Sequence, residues 1–218
     1  MILEELQDSF LGEDVYIVGS GKTLEYYPKD FFEDTVTIGI NQGWANVLPR
    51  VDFMVTKYHE NARVWREDPR VGLLVVTRYQ RGHGREEIEE APGQVIADHN
   101  PNPVERFRAD SWPTEPHALV ASYSSITTGM HLAAYMGARR IFLVGADCGD
   151  LDGNRNVNGH DPRDTTLDRL KKFDLQNRIV SSELRARYGS SVVTLLPFST
   201  PNMDGHRFTS HAGELNAP

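Results

Sequence analysis

Gly19-Ser20-Gly21-Lys22-Thr23 follows directly on the apolar run Val15-Tyr16-Ile17-Val18. Glycines at the end of a buried strand let backbone N–H groups approach a phosphate, and Ser20, Lys22 and Thr23 can add donors. The same residues also read as a bare tight turn. Asn41 and Gln42 close the next β-branched run and place two carboxamides at a strand end. In Tyr123-Ser124-Ser125-Ile126-Thr127-Thr128-Gly129, hydroxyls cluster at an expected helix start. Ser125, Thr127 and Thr128 can donate to a phosphate or carboxylate, or simply cap and pack the helix. Asp147, Asp150 and Asp152 fall within six residues and could hold Mg²⁺ with phosphate oxygens, or be solvated turn carboxylates. His160, in Asn158-Gly159-His160-Asp161, is the candidate general base, because an imidazole titrates near neutrality.

Two familiar phosphate motifs fail on spacing. A full P-loop needs a glycine five residues before Gly21, and that position is Tyr16. A dinucleotide fingerprint needs a third glycine where Leu24 stands, and an acidic residue where Asn41 stands.

The elements that must position these residues alternate between short apolar runs and helix-length segments. Strands are expected at Val15–Val18, Thr35–Ile40, Asp52–Thr56, Val71–Thr77, Arg140–Val144 and Ser191–Leu196. Helices are expected from Leu24 to about Phe32, over Ser125–Tyr135, and over Thr165–Tyr188 with an apolar face of Leu167, Leu170, Phe173, Ile179, Val180 and Leu184. This pattern predicts an α/β fold: one Rossmann-like, doubly wound, mostly parallel sheet spanning residues 1–218. Residues 78–116 are rich in Gly, Pro, His and charge and predict a lid or small lobe with one strand, Gln94–Ala97. Residues beyond Pro197 read as turns.

The chain has 218 residues, with 23 Lys+Arg against 31 Asp+Glu, a net charge of −8. That balance excludes an extended nucleic-acid or anionic-membrane surface and leaves room for one small basic pocket. A single cysteine, Cys148, excludes an internal disulfide framework and a cysteine zinc cluster. No apolar run approaches the roughly 20 residues that span a bilayer, and Met1–Gly12 lacks a basic signal-peptide start. The expectation is a cytoplasmic protein, and a homo-oligomer is compatible with it.

Four segments in order resemble the sialyltransferases of glycosyltransferase family 42. YIVGSGKTLEYYPKDFFEDTVTIGINQGW resembles their first glycine loop and the Asn-Gln pair after the second strand. SSITTGMHLAAYMGARRIFLVGAD is similar to their ITSG-helix-strand unit, NGHDPRDTTLDRLKKF to the segment with their histidine base, and LLPFST to a late strand and turn. The resemblance implies a modified Rossmann fold and inverting transfer from a nucleotide-activated sugar to an acceptor hydroxyl, without metal or resident cofactor. Gly19, Ser20, Gly21 and Asn41 would then contact the nucleotide and its phosphate, Ser125, Thr127 and Thr128 would lie near it, and His160 would be the base. The sequence departs from that family in having Lys22-Thr23 for the usual Pro-Ser, and Cys148-Gly149-Asp150 where leaving-group tyrosines stand. Arg155 or Arg163 would have to take the place of those tyrosines.

A second resemblance is to the archaeal-type 6-hydroxymethylpterin pyrophosphokinase-like proteins (domain of unknown function 115). It rests on PRVDFMVT and on LVGAD…LDGN…GH. It implies ATP and Mg²⁺, with Asp147, Asp150 and Asp152 as ligands. A non-catalytic nucleotide-binding module is the third reading.

Overall fold

The computed structural model describes residues 1–28, 30–59, 62–78, 88, 90–99, 112–116, 118–160, 166–198 and 204–212. Most of the expected lid, and Arg163, lie outside these residues.

Apolar, β-branched runs make the strands of one sheet. In chain order these are β1 (Asp14–Val18), β2 (Val36–Ile40), β3 (Val51–Thr56), β4 (Val71–Thr77), β5 (Gln94–His99), β6 (Ala118–Leu119), β7 (Arg140–Val144) and β9 (Ser191–Thr194). They lie side by side in the order β6-β5-β4-β3-β2-β1-β7-β9, and every pairing is parallel. Between β7 and β9, β8 (Gly149–Leu151) leaves the sheet and pairs antiparallel with β10 (Phe208–Ser210).

A sheet buried on both faces needs cover on both. One face packs Ile17, Ile38, Val55 and Leu143 against α2 (Ser125–Tyr135) and against Val180 and Leu184 of α3 (Leu167–Tyr188). The other face packs Val18, Met54, Leu74 and Val144 beneath Leu24, Tyr27, Trp44, Leu48 and Ala62. Its cover consists of short pieces: 3₁₀ turns at Lys22–Tyr26 and Gly43–Asn46, and α1 (Ala62–Glu67). Right-handed crossovers explain the division. From β1 to β4 the chain steps one way across the sheet, whereas into β7 and β9 it steps the other way, so α2 and α3 fall on the opposite face. The fold is thus α/β, mostly parallel and Rossmann-like.

Local chemistry sets the helix ends. The Ser124 hydroxyl accepts from the Ile126 N–H and Thr166 from Arg169, capping α2 and α3, while Gly189 at φ +72 ends α3.

Several expectations need correction. The helix expected from Leu24 to Phe32 is only the 3₁₀ turn Lys22–Tyr26. Pro28 forces its predecessor out of the helical region, and Tyr27 is extended at φ −73, ψ 144. The apolar face of α3 begins at Leu170; Leu167 is 43% exposed. The last strand stops at Thr194, although the Leu195 N–H still donates to Leu143 O. The loop after β7 and the terminal turns contain β8 and β10, neither of which has a strand-like run.

Candidate functional site

In an open α/β sheet a crevice forms where neighbouring strands send their connections to opposite sides, beyond the carboxyl ends. Here that point lies between β1 and β7. Gly19-Ser20-Gly21 leaves β1 and Gly145-Ala146-Asp147 leaves β7, and the two loops are in contact. The Gly19 N–H donates to Val144 O at 2.8 Å, and the Gly21 N–H to Gly145 O at 2.6 Å. A Cβ on Gly19 would sit 2.3 Å from Gly145 O, and one on Gly21 would sit 2.1 Å from Asp147 Oδ1. Both glycines are therefore required by close packing.

The β2 corner joins the same mouth. Asn41 has φ +52; its N–H donates to Val55 O and its carboxamide oxygen accepts from the Thr56 hydroxyl at 3.3 Å. Gln42 is exposed. Gly43 packs so tightly on Ser20 that a Cβ there would meet the Ser20 Cβ at 2.2 Å. The first turn of α2 borders Gly19 through Ile126.

A segment from Asn154 to His160 lies across the glycine loop as a strap. Gly21 and Asn156 form an antiparallel bridge, the Lys22 N–H donates to Arg155 O, and the Val157 N–H to Ser20 O. Lys22 Nζ reaches Glu25 at 2.6 Å and Asn158 Oδ1 at 3.0 Å, and Glu25 also accepts from the Asn158 N–H. His160 follows, half-buried, with its N–H on Val157 O.

The site residues expected from sequence thus separate into groups. Gly19, Ser20, Gly21, Asn41, Asp147 and the strap bearing His160 come together. Lys22, expected as a donor to a ligand, is 8% exposed and ties the strap to the 3₁₀ turn. Thr23 is fully buried. Thr127 spends its hydroxyl on Ser124 O at 2.7 Å and meets Ser122 Oγ, and Thr128 is fully buried behind it. Ser125 sits at the first turn of α2 beside them. The amides of Gly19, Gly21, Lys22 and Leu24 all bond within the protein. A ligand at this mouth therefore meets side chains, Ser20 and the α2 terminus, not a cradle of these four amides.

Asp147 points into this packing. Neither carboxyl oxygen, nor Thr23 Oγ1, nor the Tyr27 hydroxyl makes a hydrogen bond. Burial pushes the Asp147 carboxyl up to about 6; nearby donors, its own backbone N–H first and Thr23 after it, lie close enough to counter this only in part, without hydrogen-bond geometry. The same carboxylate, after burial itself, helps hold the Tyr27 phenol above its usual range. Burial likewise pushes the neighbouring Cys148 thiol up to about 12, so it is no thiolate nucleophile.

The three carboxylates proposed for Mg²⁺ do not converge. Asp150 Oδ2 meets His211 Nε2 at 2.5 Å, Asp152 Oδ2 meets His206 Nδ1 at 2.5 Å, and Asp147 is buried at the glycine loop. Among the described residues no group of three His, Cys, Asp or Glu could hold a metal ion. The donor set therefore does not fit the ion that the second resemblance implies.

Sequence reasoning missed His206 and His211. They lie 54 and 61 residues from their partners, and only the β8–β10 pairing joins them. The His206 ring also contacts Tyr26, so this two-stranded ladder borders the 3₁₀ turn that follows the glycine loop.

No helix among the described residues is long and apolar enough to cross a membrane. Comparison with protein-family models and with curated proteins returns no match.

Proposed function

We propose that the protein is a transferase that moves a sugar from a nucleotide-activated donor to an acceptor hydroxyl with inversion, in the cytoplasm and without a resident cofactor. The observation that carries this reading is the mouth between β1 and β7. There the glycine loop, the Asn41 corner, the α2 terminus and the strap bearing His160 meet at the switch point of the sheet, the place where doubly wound sheets bind nucleotides.

In this reading Ser20, Asn41 and Ser125 face the nucleotide and its phosphate. The acceptor oxygen attacks the sugar carbon as the bond from that carbon to the phosphate oxygen breaks, and its electron pair leaves with the nucleotide. A histidine at the rim takes the acceptor proton, with His160 as the candidate drawn from sequence. Base assistance of this kind contributes about 10²–10⁴-fold, and holding donor and acceptor together adds to it.

The pyrophosphokinase reading draws no support from the carboxylates: Asp150 and Asp152 are held by His211 and His206, and the Asp147 carboxyl is buried apart from them. The test is a thermal-shift screen of CMP, UDP, GDP, ADP and ATP, with and without Mg²⁺, followed by turnover of the matching nucleotide sugars. A ligand at 100 times its Kd stabilises the native state by about 2.7 kcal/mol, so the preferred nucleotide raises Tm. Metal-independent release of nucleotide from one donor supports the transferase. Consumption of ATP with release of AMP, abolished by EDTA, supports the pyrophosphokinase. A shift without turnover of any donor leaves a binding module, and no shift with any nucleotide refutes both enzyme readings.

A further inference from the structure

The β8–β10 ladder holds a built acid–base pair that the strap does not contain. Asp150 lies on β8, three residues beyond Asp147, and His211 immediately follows β10. His211 Nε2 meets Asp150 Oδ2 at 2.5 Å, and the His211 backbone N–H donates to Cys148 O at 3.1 Å. The other Asp150 oxygen accepts from the Gly153 N–H at 3.2 Å. Both partners are therefore anchored, and each side chain is 17% exposed, so the pair is shielded yet reachable. An ionised carboxylate only accepts hydrogen bonds, so it holds the imidazole hydrogen on Nε2 and leaves the lone pair of the neutral ring on Nδ1. An imidazole whose tautomer and orientation are set by a carboxylate is the arrangement of a general base. The β8–β10 ladder that carries it borders the glycine-loop turn at its far end, where His206 contacts Tyr26, while the Cys148 carbonyl that anchors His211 is next in the chain to Asp147, whose carboxyl packs against Gly21.

We propose that His211, oriented by Asp150, is a proton-accepting catalytic residue of the site at the β1–β7 mouth, with Asp150 as its positioning residue. This rests on the transferase reading above. The acceptor hydroxyl gives its proton to His211 Nδ1 while its oxygen forms the bond to the sugar carbon. The bond from that carbon to the phosphate oxygen breaks, the electron pair leaves with the nucleotide, and the imidazolium next to Asp150 later releases its proton to water.

The experiment measures nucleotide release from CMP-, UDP- and GDP-activated sugars, with water as acceptor, by the full chain and its variants. Expected is a fall in kcat of about 10²-fold or more for His211→Gln and of about tenfold for Asp150→Asn, in the range of general-base effects, with KM for the donor little changed. Added imidazole restores part of the rate of His211→Ala, which a purely structural role of His211 would not allow. His206→Gln, which alters the other end of the same ladder, keeps kcat within about twofold of wild type. Should His211→Gln fail to fold, Asp150→Asn, which preserves the shape of the carboxyl, carries the same test. Wild-type turnover with unchanged kcat in the His211 and Asp150 variants overturns the inference and leaves the transferase reading standing. So does an equal loss in His206→Gln without imidazole rescue of His211→Ala. If the wild type releases nucleotide from none of the donors, the transferase reading fails and the inference falls with it.

Discussion

Asp147 at the glycine loop and His131 in α2 both bury ionisable groups, and the two respond to pH in opposite directions. The Asp147 carboxyl is raised from its ordinary 3.8 to about 6, chiefly by burial. Below about pH 4 both folded and unfolded states hold the proton. Between about 4 and 6 only the folded state keeps it, so this group makes stability fall as pH rises through that window, and the loss is constant above it. The full effect is about 3 kcal/mol. His131 lies within α2, accepting from the Val120 N–H at Nδ1 (2.9 Å) and meeting the Tyr188 hydroxyl at Nε2 (2.8 Å). Burial, aided by the Arg187 charge, pushes it down to about 3. Below about pH 6.5 the unfolded state binds a proton that the folded state refuses, so His131 makes stability fall as pH drops. Between about 4 and 6 the two slopes oppose. Denaturant unfolding of Asp147→Asn at pH 4.5 and 7.5 should therefore show a stability that increases with pH more steeply than in wild type. His131→Phe should lose the acid-sensitive slope and cost about 1–3 kcal/mol at pH 7.5, because the Val120 N–H loses its acceptor.

At the scale of elements, glycines show two different constraints. Gly189 ends α3 at φ +72 with nothing within 4 Å of a Cβ, so Gly189→Ala tests backbone conformation alone. It should lower stability by about 1 kcal/mol, measured by urea unfolding with an unchanged m-value. Gly21 has an ordinary negative φ of −65 but no room: a Cβ would meet Asp147 Oδ1 at 2.1 Å and Gly145 O at 2.8 Å. Gly21→Ala must push the β1 and β7 loops apart, at about 1–3 kcal/mol, and should weaken whichever nucleotide the thermal-shift screen selects. Gly189→Ala should leave that nucleotide's affinity unchanged. Pro28 explains why the piece between β1 and β2 stays a single 3₁₀ turn, too short to carry a helix terminus comparable to that of α2. The aromatic cluster of Tyr16, Tyr27, Phe31 and Phe32 covers the sheet there in place of a helix.

At the scale of the whole molecule, strand order decides where chemistry can happen. Between β1 and β7 the connections depart to opposite sides, and that gap gathers residues from positions 19 to 160. The net charge of −8 does not appear there as a simple field. Lys22 is neutralised by Glu25, and Lys57 Nζ donates to Ser122 O near the α2 start.

The strands β1 to β4 and β7, the glycine turn, a hydroxyl cap at the start of α2 and the α2 and α3 helices were legible in the sequence. Each rests on residues within a few positions of one another: apolar runs, a hydroxyl before a helix, a glycine after one. The sequence by itself therefore determined the α/β class and the presence of a polar mouth at the strand ends. Only the tertiary structure decided which of the candidate residues face that mouth. Lys22 meets Asn158 across 136 residues, and Asp150 meets His211 across 61. Such pairings follow from sheet order and from a long-range antiparallel ladder, β8–β10, with no local signal of its own. Their physical reason is packing: Thr23 and the Asp147 carboxyl are buried because β1, β7 and the strap close over them, which no spacing along the chain encodes.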